Sequence, residues 1–228
     1  MSGGSGDTVL LDRLREIGVR DTARVLSWLL EFLRRHPTEP DGLELLFLTA
    51  AGSPDPDLFF LNLSRWSDSL RPDPLRDCFR NERLLPMIGG LLGGSEFLPE
   101  QVARRPEIFE TLFEKEGVLS RPAAGELRRE ALEEADRCAT EEEMKRALRR
   151  MKHREMTRIA ARDLAGISPL PEVTQELSAL AEAALEGAVR FARRAVSTKA
   201  GEPTAVFPDG KRLPCRFVVL GMGKLGGR

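Results

Sequence analysis

Apolar residues recur at helical spacing along most of the chain and change to strand-like spacing only near its end. From Thr22 to Arg35, the residues Val25, Leu26, Leu29, Phe32 and Leu33 form one broad apolar face, and Pro37 closes the segment. A second helix is expected over Asp41 to Ala51. Between Gly52 and Pro106 the prolines at 54, 56, 72, 74, 86 and 99 cut the sequence into short apolar pieces. Each suits a helix of about two or three turns, because proline lacks the N–H that a helix interior needs.

Beyond Pro122 the pattern lengthens. Leu127, Ala131, Ala135 and Cys138 share one face. Thr140 with Glu143 three residues on is a capping box, which starts a helix expected to run to about Leu164 with Gly166 as its stop. Ser168 before Pro169 caps a third long helix, with Val173, Leu177, Leu180, Ala184, Ala188 and Phe191 as its buried stripe. After Gly201 the period changes: Ala205-Val206-Phe207, a Pro208-Asp209-Gly210 turn, and Arg212 to Leu220 read as two strands. An apolar strand with nothing after it to cover it gives the expectation that further sequence completes the sheet.

The fold expected is therefore mainly α: an irregular helical bundle followed by the first strands of a truncated α+β domain. The divisions expected are a flexible start over 1–20, a short-helix region over 21–120, a long-helix bundle over 121–200 and an incomplete domain over 201–228.

Composition narrows the function classes. With 41% hydrophobic residues in 228, the chain has enough apolar side chains for one large core or two modest ones, so a disordered chain is excluded. Lys plus Arg total 35 against 36 Asp plus Glu, and the net charge of -1 offers no global attraction to nucleic acid or to an anionic membrane. Cys78, Cys138 and Cys215 are far apart, with no Cys-x-x-Cys and no His pair near them, which points to reduced thiols and no metal site. The start has no signal-peptide pattern and no stretch approaches ~18 uninterrupted apolar residues, so a cytoplasmic protein is expected. The chain has no tyrosine, which excludes self-modification at that residue.

The candidate chemistry lies in Gly221-Met222-Gly223-Lys224-Leu225-Gly226-Gly227, directly after the apolar run Phe217-Val218-Val219-Leu220. Glycines let the backbone reach positive φ and let a phosphate approach main-chain N–H groups with no Cβ in the way. Lys224 adds a cation on a flexible stem. Gly221, Gly223, Lys224, Gly226 and Gly227 are thus candidate nucleotide-binding residues. The same letters fit Gly-x-Gly-x-x-Gly, so a dinucleotide-binding oxidoreductase domain remains an alternative, although that fingerprint normally opens its domain instead of following about 200 residues of helix. A non-enzymatic helical scaffold is the third reading.

The block from Arg216 to Arg228 resembles the opening of the nucleotidyltransferase motif of the glutamine synthetase adenylyltransferase family. His153 to Gly166 resembles that family's helix leading into the catalytic domain, and Ser95-Glu96-Phe97-Leu98 with Arg105-Pro106-Glu107 is similar to an earlier helical segment. The resemblance implies a polymerase-β-like nucleotidyltransferase fold for the final part, with Mg²⁺ and ATP or ADP as cofactors of the full-length enzyme. It implies glutamine synthetase and the PII signal protein as partners, with AMP added to or removed from a tyrosine of glutamine synthetase. In the family the glycine pair, here Gly226 and Gly227, is followed a few residues later by an Asp-x-Asp that binds the metals; those aspartates are expected beyond Arg228, so no catalytic or metal-binding residue is expected within the chain. The first of the family's two catalytic halves removes AMP by phosphorolysis, and the helical sequence ahead of the motif places this chain there.

From Thr140 to Asp163 there are eight Lys/Arg against five acids, a local excess of three. Arg154, Arg158 and Arg162, four residues apart, form a stripe that either lies in solvent or faces phosphate or an acidic partner. His36 and His153 have no carboxylate or second His at ligand spacing, so surface or capping roles are expected. Trp28 and Trp66 fall in apolar helical patterns and are expected in the core.

Overall fold

A computed structural model describes residues 3–215 and 217–221. The described chain is mainly helical with one small two-stranded sheet near its end. Two compact units are built from discontinuous segments: the first from 1–121 and 153–173, the second from 122–152 and 174–228.

In the first unit, helices α1 (Gly3–Glu16), α2 (Thr22–Arg35), α3 (Pro40–Ala51), α4 (Pro56–Ser69), α5 (Pro72–Cys78), α6 (Leu85–Gly94), α7 (Phe97–Arg104) and α8 (Pro106–Phe109) follow one another, and α8 runs on into a π turn, Glu110–Glu114, and a 3₁₀ turn, Gly117–Leu119. The region read as a flexible start carries α1, because Leu14 and Val19 give that segment an apolar side to bury. The prolines act as starters: they stand in the first turn of α3, α4, α5, α6 and α8, where the missing N–H costs nothing. Helix α4 is longer than the short pieces expected, since Asp55 accepts from the Leu58 N–H at its start and no proline interrupts it before Leu70.

Helix α4 is the hub of this unit. Phe59, Phe60, Leu63 and Trp66 are fully buried, with Trp66 edge-on to Phe109 at 5.5 Å. Its polar members are also satisfied. Asn62 donates through Nδ2 to the carbonyls of Leu92 (2.8 Å) and Ser95 (2.9 Å), closing the end of α6, and Trp66 Nε1 donates to Pro99 O at 2.9 Å. Trp28, expected in the core, is only half-buried and holds the Arg24 guanidinium 4.9 Å from its ring centre.

His36 ends α2 with its backbone N–H on Phe32 O (2.8 Å), the capping role expected, but its ring is buried and stacked on Phe32 at 4.6 Å. Pro72 O can only accept, so Nδ1 carries the proton (3.2 Å) and Nε2 accepts from the Ser67 hydroxyl (2.8 Å). Burial pushes the His36 pKa below the ordinary value; Arg35 and Arg76 push the same way, against the Pro72 carbonyl and Asp73. The unfolded chain therefore takes up a proton here at higher pH than the folded one. Its contribution to stability is fully present above the unfolded pKa of about 6.5 and declines as pH falls through it. Urea midpoints at pH 7.5 and 5.5 should separate more in the parent than in His36→Gln; equal separation would remove His36 as the cause.

In the second unit, α9 (Glu126–Arg137) buries Leu127, Ala131 and Ala135, as its spacing predicts, with Cys138 at its end. Helix α10 (Glu141–Leu164) begins on the expected capping box: Glu143 N–H donates to Thr140 Oγ1 (3.2 Å) while the Glu143 carboxylate accepts from the N–H groups of Ala139 (2.7 Å) and Thr140 (3.2 Å). It stops before Gly166, at φ +68. Along α11 (Leu170–Ala200), Leu177 is exposed and Ala184 and Ala188 are half-buried; the buried line within this unit is Glu176, Leu180, Ala183, Gly187 and Phe191. A Cβ on Gly187 would stand 2.8 Å from Ala131 O, so the close approach of α9 and α11 fixes which face turns inward.

Candidate functional site

The C-terminal hairpin leads into the glycine-rich block. Strand β1 (Thr204–Val206) pairs antiparallel with β2 (Arg212–Pro214), with Ala205 opposite Leu213. The turn follows its residues: Gly210 takes φ +80 and donates to Phe207 O (2.8 Å), and Asp209 accepts from the Lys211 N–H (3.1 Å). The Arg193–Glu202 ion pair at 2.8 Å ties the segment before β1 to α11.

The second strand is shorter than the expected Arg212 to Leu220. β1 has no residues left to pair beyond Thr204, and the last rung is Cys215 N–H to Pro203 O at 2.7 Å. Phe217, Val218, Val219 and Leu220 follow as exposed apolar residues, from 46% to 82% accessible. Gly221 is exposed as well. Gly223, Lys224, Gly226 and Gly227 lie outside the described residues.

The three arginines of the expected stripe have internal partners. Arg158 is buried and its Nε donates to Glu155 Oε2 at 2.8 Å, while Arg154 Nε donates to Glu155 Oε1 at 2.7 Å. Arg158 Nη1 also reaches Ser120 O (3.3 Å). Arg162 donates to the carbonyls of Val118 (3.4 Å) and Leu119 (3.3 Å) and to Ser168 Oγ (3.2 Å), beside Glu172, which Arg121 also reaches (3.2 Å). Glu172 is held below the usual carboxylate range, first by the Ser168 hydroxyl and then by Arg121 and Arg162. These groups fasten the 3₁₀ turn and the residues after it to α10. Glu155, the buried carboxylate that organises the cluster, was not singled out from sequence; its signal is a lone acid flanked by Arg154 and Arg158.

Other reactive groups are accounted for by burial. The Cys78 thiol is pushed up to about 12 by burial and is inert near neutral pH. All three cysteines are free thiols. Among the described residues there is no group of three His, Cys, Asp or Glu side chains placed to hold a metal, and no helix is long and apolar enough to cross a membrane.

A family model described as Glutamate-ammonia ligase adenylyltransferase matches residues 86–228, from α6 through the hairpin and the glycine-rich block. The chain belongs to this family. Within it, the chain is 38% identical over 136 residues to a bifunctional glutamine synthetase adenylyltransferase/adenylyl-removing enzyme of Thioalkalivibrio sulfidiphilus, covering 59% of this chain and 14% of that protein. It is 35% identical over 151 residues to the protein of that name from Pasteurella multocida (64% and 15%), and 31% identical over 204 residues to that of Streptomyces avermitilis (87% and 18%). The chain thus spans under a fifth of the length of these curated relatives. As an adenylyltransferase-family chain, its glycine-rich block is part of the matched region, as are Glu155, Arg158 and Arg162.

Proposed function

We propose that this chain is part of an enzyme that adds AMP to, or removes it from, a tyrosine of glutamine synthetase, acting in the cytoplasm on nitrogen assimilation. The observation that carries the reading is the family match running unbroken through the hairpin and into the glycine-rich block. In this reading the helical units support the start of a polymerase-β-like nucleotidyltransferase domain. The exposed apolar run at 217–220 leads the chain to the phosphates.

The roles follow from chemistry. Gly221, Gly223, Gly226 and Gly227 let the nucleotide's phosphates approach main-chain N–H groups, and Lys224 supplies a point charge beside them. In the full-length enzyme, carboxylates outside 1–228 would hold Mg²⁺, which would supply charge neutralisation for transfer between ATP or ADP and the protein substrate. Residues 1–228 alone therefore carry no transfer activity. In this reading the chain belongs to the adenylyl-removing half, and the names of the relatives support glutamine synthetase as the substrate. The PII signal protein is the proposed regulatory partner.

The test is calorimetric titration of the folded full-length enzyme with ADP or ATP. Lys224→Ala should weaken binding by about 1.5–3 kcal/mol, the range for a hydrogen bond to a charged group, with the fold intact. Affinity equal to the parent would mean that Lys224 points away from the nucleotide. Release of ADP by residues 1–228 from adenylylated glutamine synthetase, phosphate and Mg²⁺ would overturn the assignment of the metal ligands to another segment.

A further inference from the structure

Among the described residues, most Lys and Arg side chains are ion-paired. Arg13 with Glu44, Arg20 with Asp55 and Asp57, Arg71 with Glu114, and Arg190 with Asp136 all lie within 3.1 Å, and each pair joins separate elements. The first half of α10 departs from that pattern. From Met144 to Arg154 there are six Lys or Arg and no acid. Lys145 reaches back to Glu141 and Glu142, and Arg154 pairs with Glu155, but Arg146, Arg149, Arg150 and Lys152 make no ion pair among the described residues, and all four are exposed. Arg146 comes close enough to Glu143 only to help hold that carboxyl below its usual range.

Their spacing makes the grouping unfavourable for the helix itself. Arg146 and Arg150 are four residues apart, as are Lys145 and Arg149, so like charges repel along one side of the helix over about 9 Å. They stand in the middle of a 24-residue helix, beyond the reach of the C-terminal dipole that would reward them. The buried side of the same turns is apolar, with Met144, Ala147 and Met151 inward, so no packing role holds these four cations in place.

We propose that this face of α10 docks an acidic protein segment, whose carboxylates take the place of the missing internal partners. An arginine fork donates two parallel N–H bonds to one carboxylate, and three arginines on two successive turns present such forks side by side. Protein is favoured over nucleic acid because α10 carries no Phe, Tyr or Trp on which a base would stack, and the chain's net charge of -1 gives no general attraction to a polyanion. The inference stands apart from the nucleotide-binding reading, since it uses none of the residues of the glycine-rich block.

The probes are a fluorescent 16-residue poly-glutamate peptide and a 16-base-pair DNA duplex, each titrated by anisotropy against the chain at low and moderate salt. The peptide should bind, more weakly as salt rises, and the triple reversal Arg149→Glu, Arg150→Glu, Lys152→Glu should weaken it about tenfold or more. A control reversing Arg15, Arg34 and Arg104 should stay within about twofold. Neutralisation of the same three residues to glutamine, with helicity unchanged by circular dichroism, should give most of the loss. Equal losses in control and test variants, tighter binding of the duplex than of the peptide, or no peptide binding would each overturn the proposal.

Discussion

Replacing Glu155 with alanine should lower the unfolding free energy by about 3–5 kcal/mol, the cost of leaving a buried charge without its partner. The residue that suffers is Arg158. Its guanidinium is as buried as Glu155 itself, and its Nε donates to that carboxylate at 2.8 Å; Ser120 O, at 3.3 Å, is a neutral dipole. Arg154 loses the same carboxylate but remains a quarter exposed, so water makes good much of its loss. A buried pair is not in itself strongly stabilising, because taking both charges from water offsets most of their attraction. Glu155→Leu combined with Arg158→Met should therefore recover most of what Glu155→Ala loses. Urea denaturation of the parent and the two variants makes the comparison. A loss below about 1 kcal/mol for Glu155→Ala would mean that the cluster does not brace the turn at 117–121.

Much of the fold was legible because local chemistry agrees with the final packing. The helices over Thr22–Arg35 and Glu141–Leu164 end where their caps, prolines and glycines say they should. Failures came where tertiary contact decides. The inward side of α11 turned on the approach of Gly187 to Ala131, which no periodicity of α11 alone contains. The stripe of Arg154, Arg158 and Arg162 was visible as spacing, but besides Glu155 within the stripe its partners lie on the 3₁₀ turn and its successors, more than 30 residues away in sequence, and on Glu172. Spacing along a helix shows which side chains share a face and not what that face meets. The proposal that the glycine-rich block holds phosphate rests on its residue types, which carry that chemistry locally, and the family match extends over it.

Gly90 should tolerate no larger residue: Gly90→Val should cost about 3 kcal/mol by overpacking. Helix α6 holds Gly89, Gly90, Gly93 and Gly94 within ten residues, a composition that weakens an isolated helix by about 1 kcal/mol per glycine relative to alanine. Contact explains why they are present. A Cβ at Gly90 would stand 2.9 Å from the Leu164 carbonyl carbon and 3.0 Å from Ala165 N, both backbone atoms at the end of α10, where carbon atoms ordinarily keep about 3.5–4.0 Å. Backbone there is fixed by the Ala165 N–H to Ala161 O bond at 3.2 Å and by the turn at Gly166, so it has little room to retreat. Gly94 is the internal control. Its Cβ would come closest to the methyl carbons of Leu164, at 3.2 and 3.4 Å, on a side chain that is partly exposed and rotates away, with Pro54 Cγ at an ordinary contact distance of 3.6 Å. Gly94→Ala should thus stay within about 1 kcal/mol of the parent, while Gly90→Ala loses more despite the gain in helix propensity. Thermal and urea unfolding of the three variants decide the matter. Equal stabilities for the two alanine variants would show that α6 keeps its glycines for some reason other than the close crossing with the end of α10.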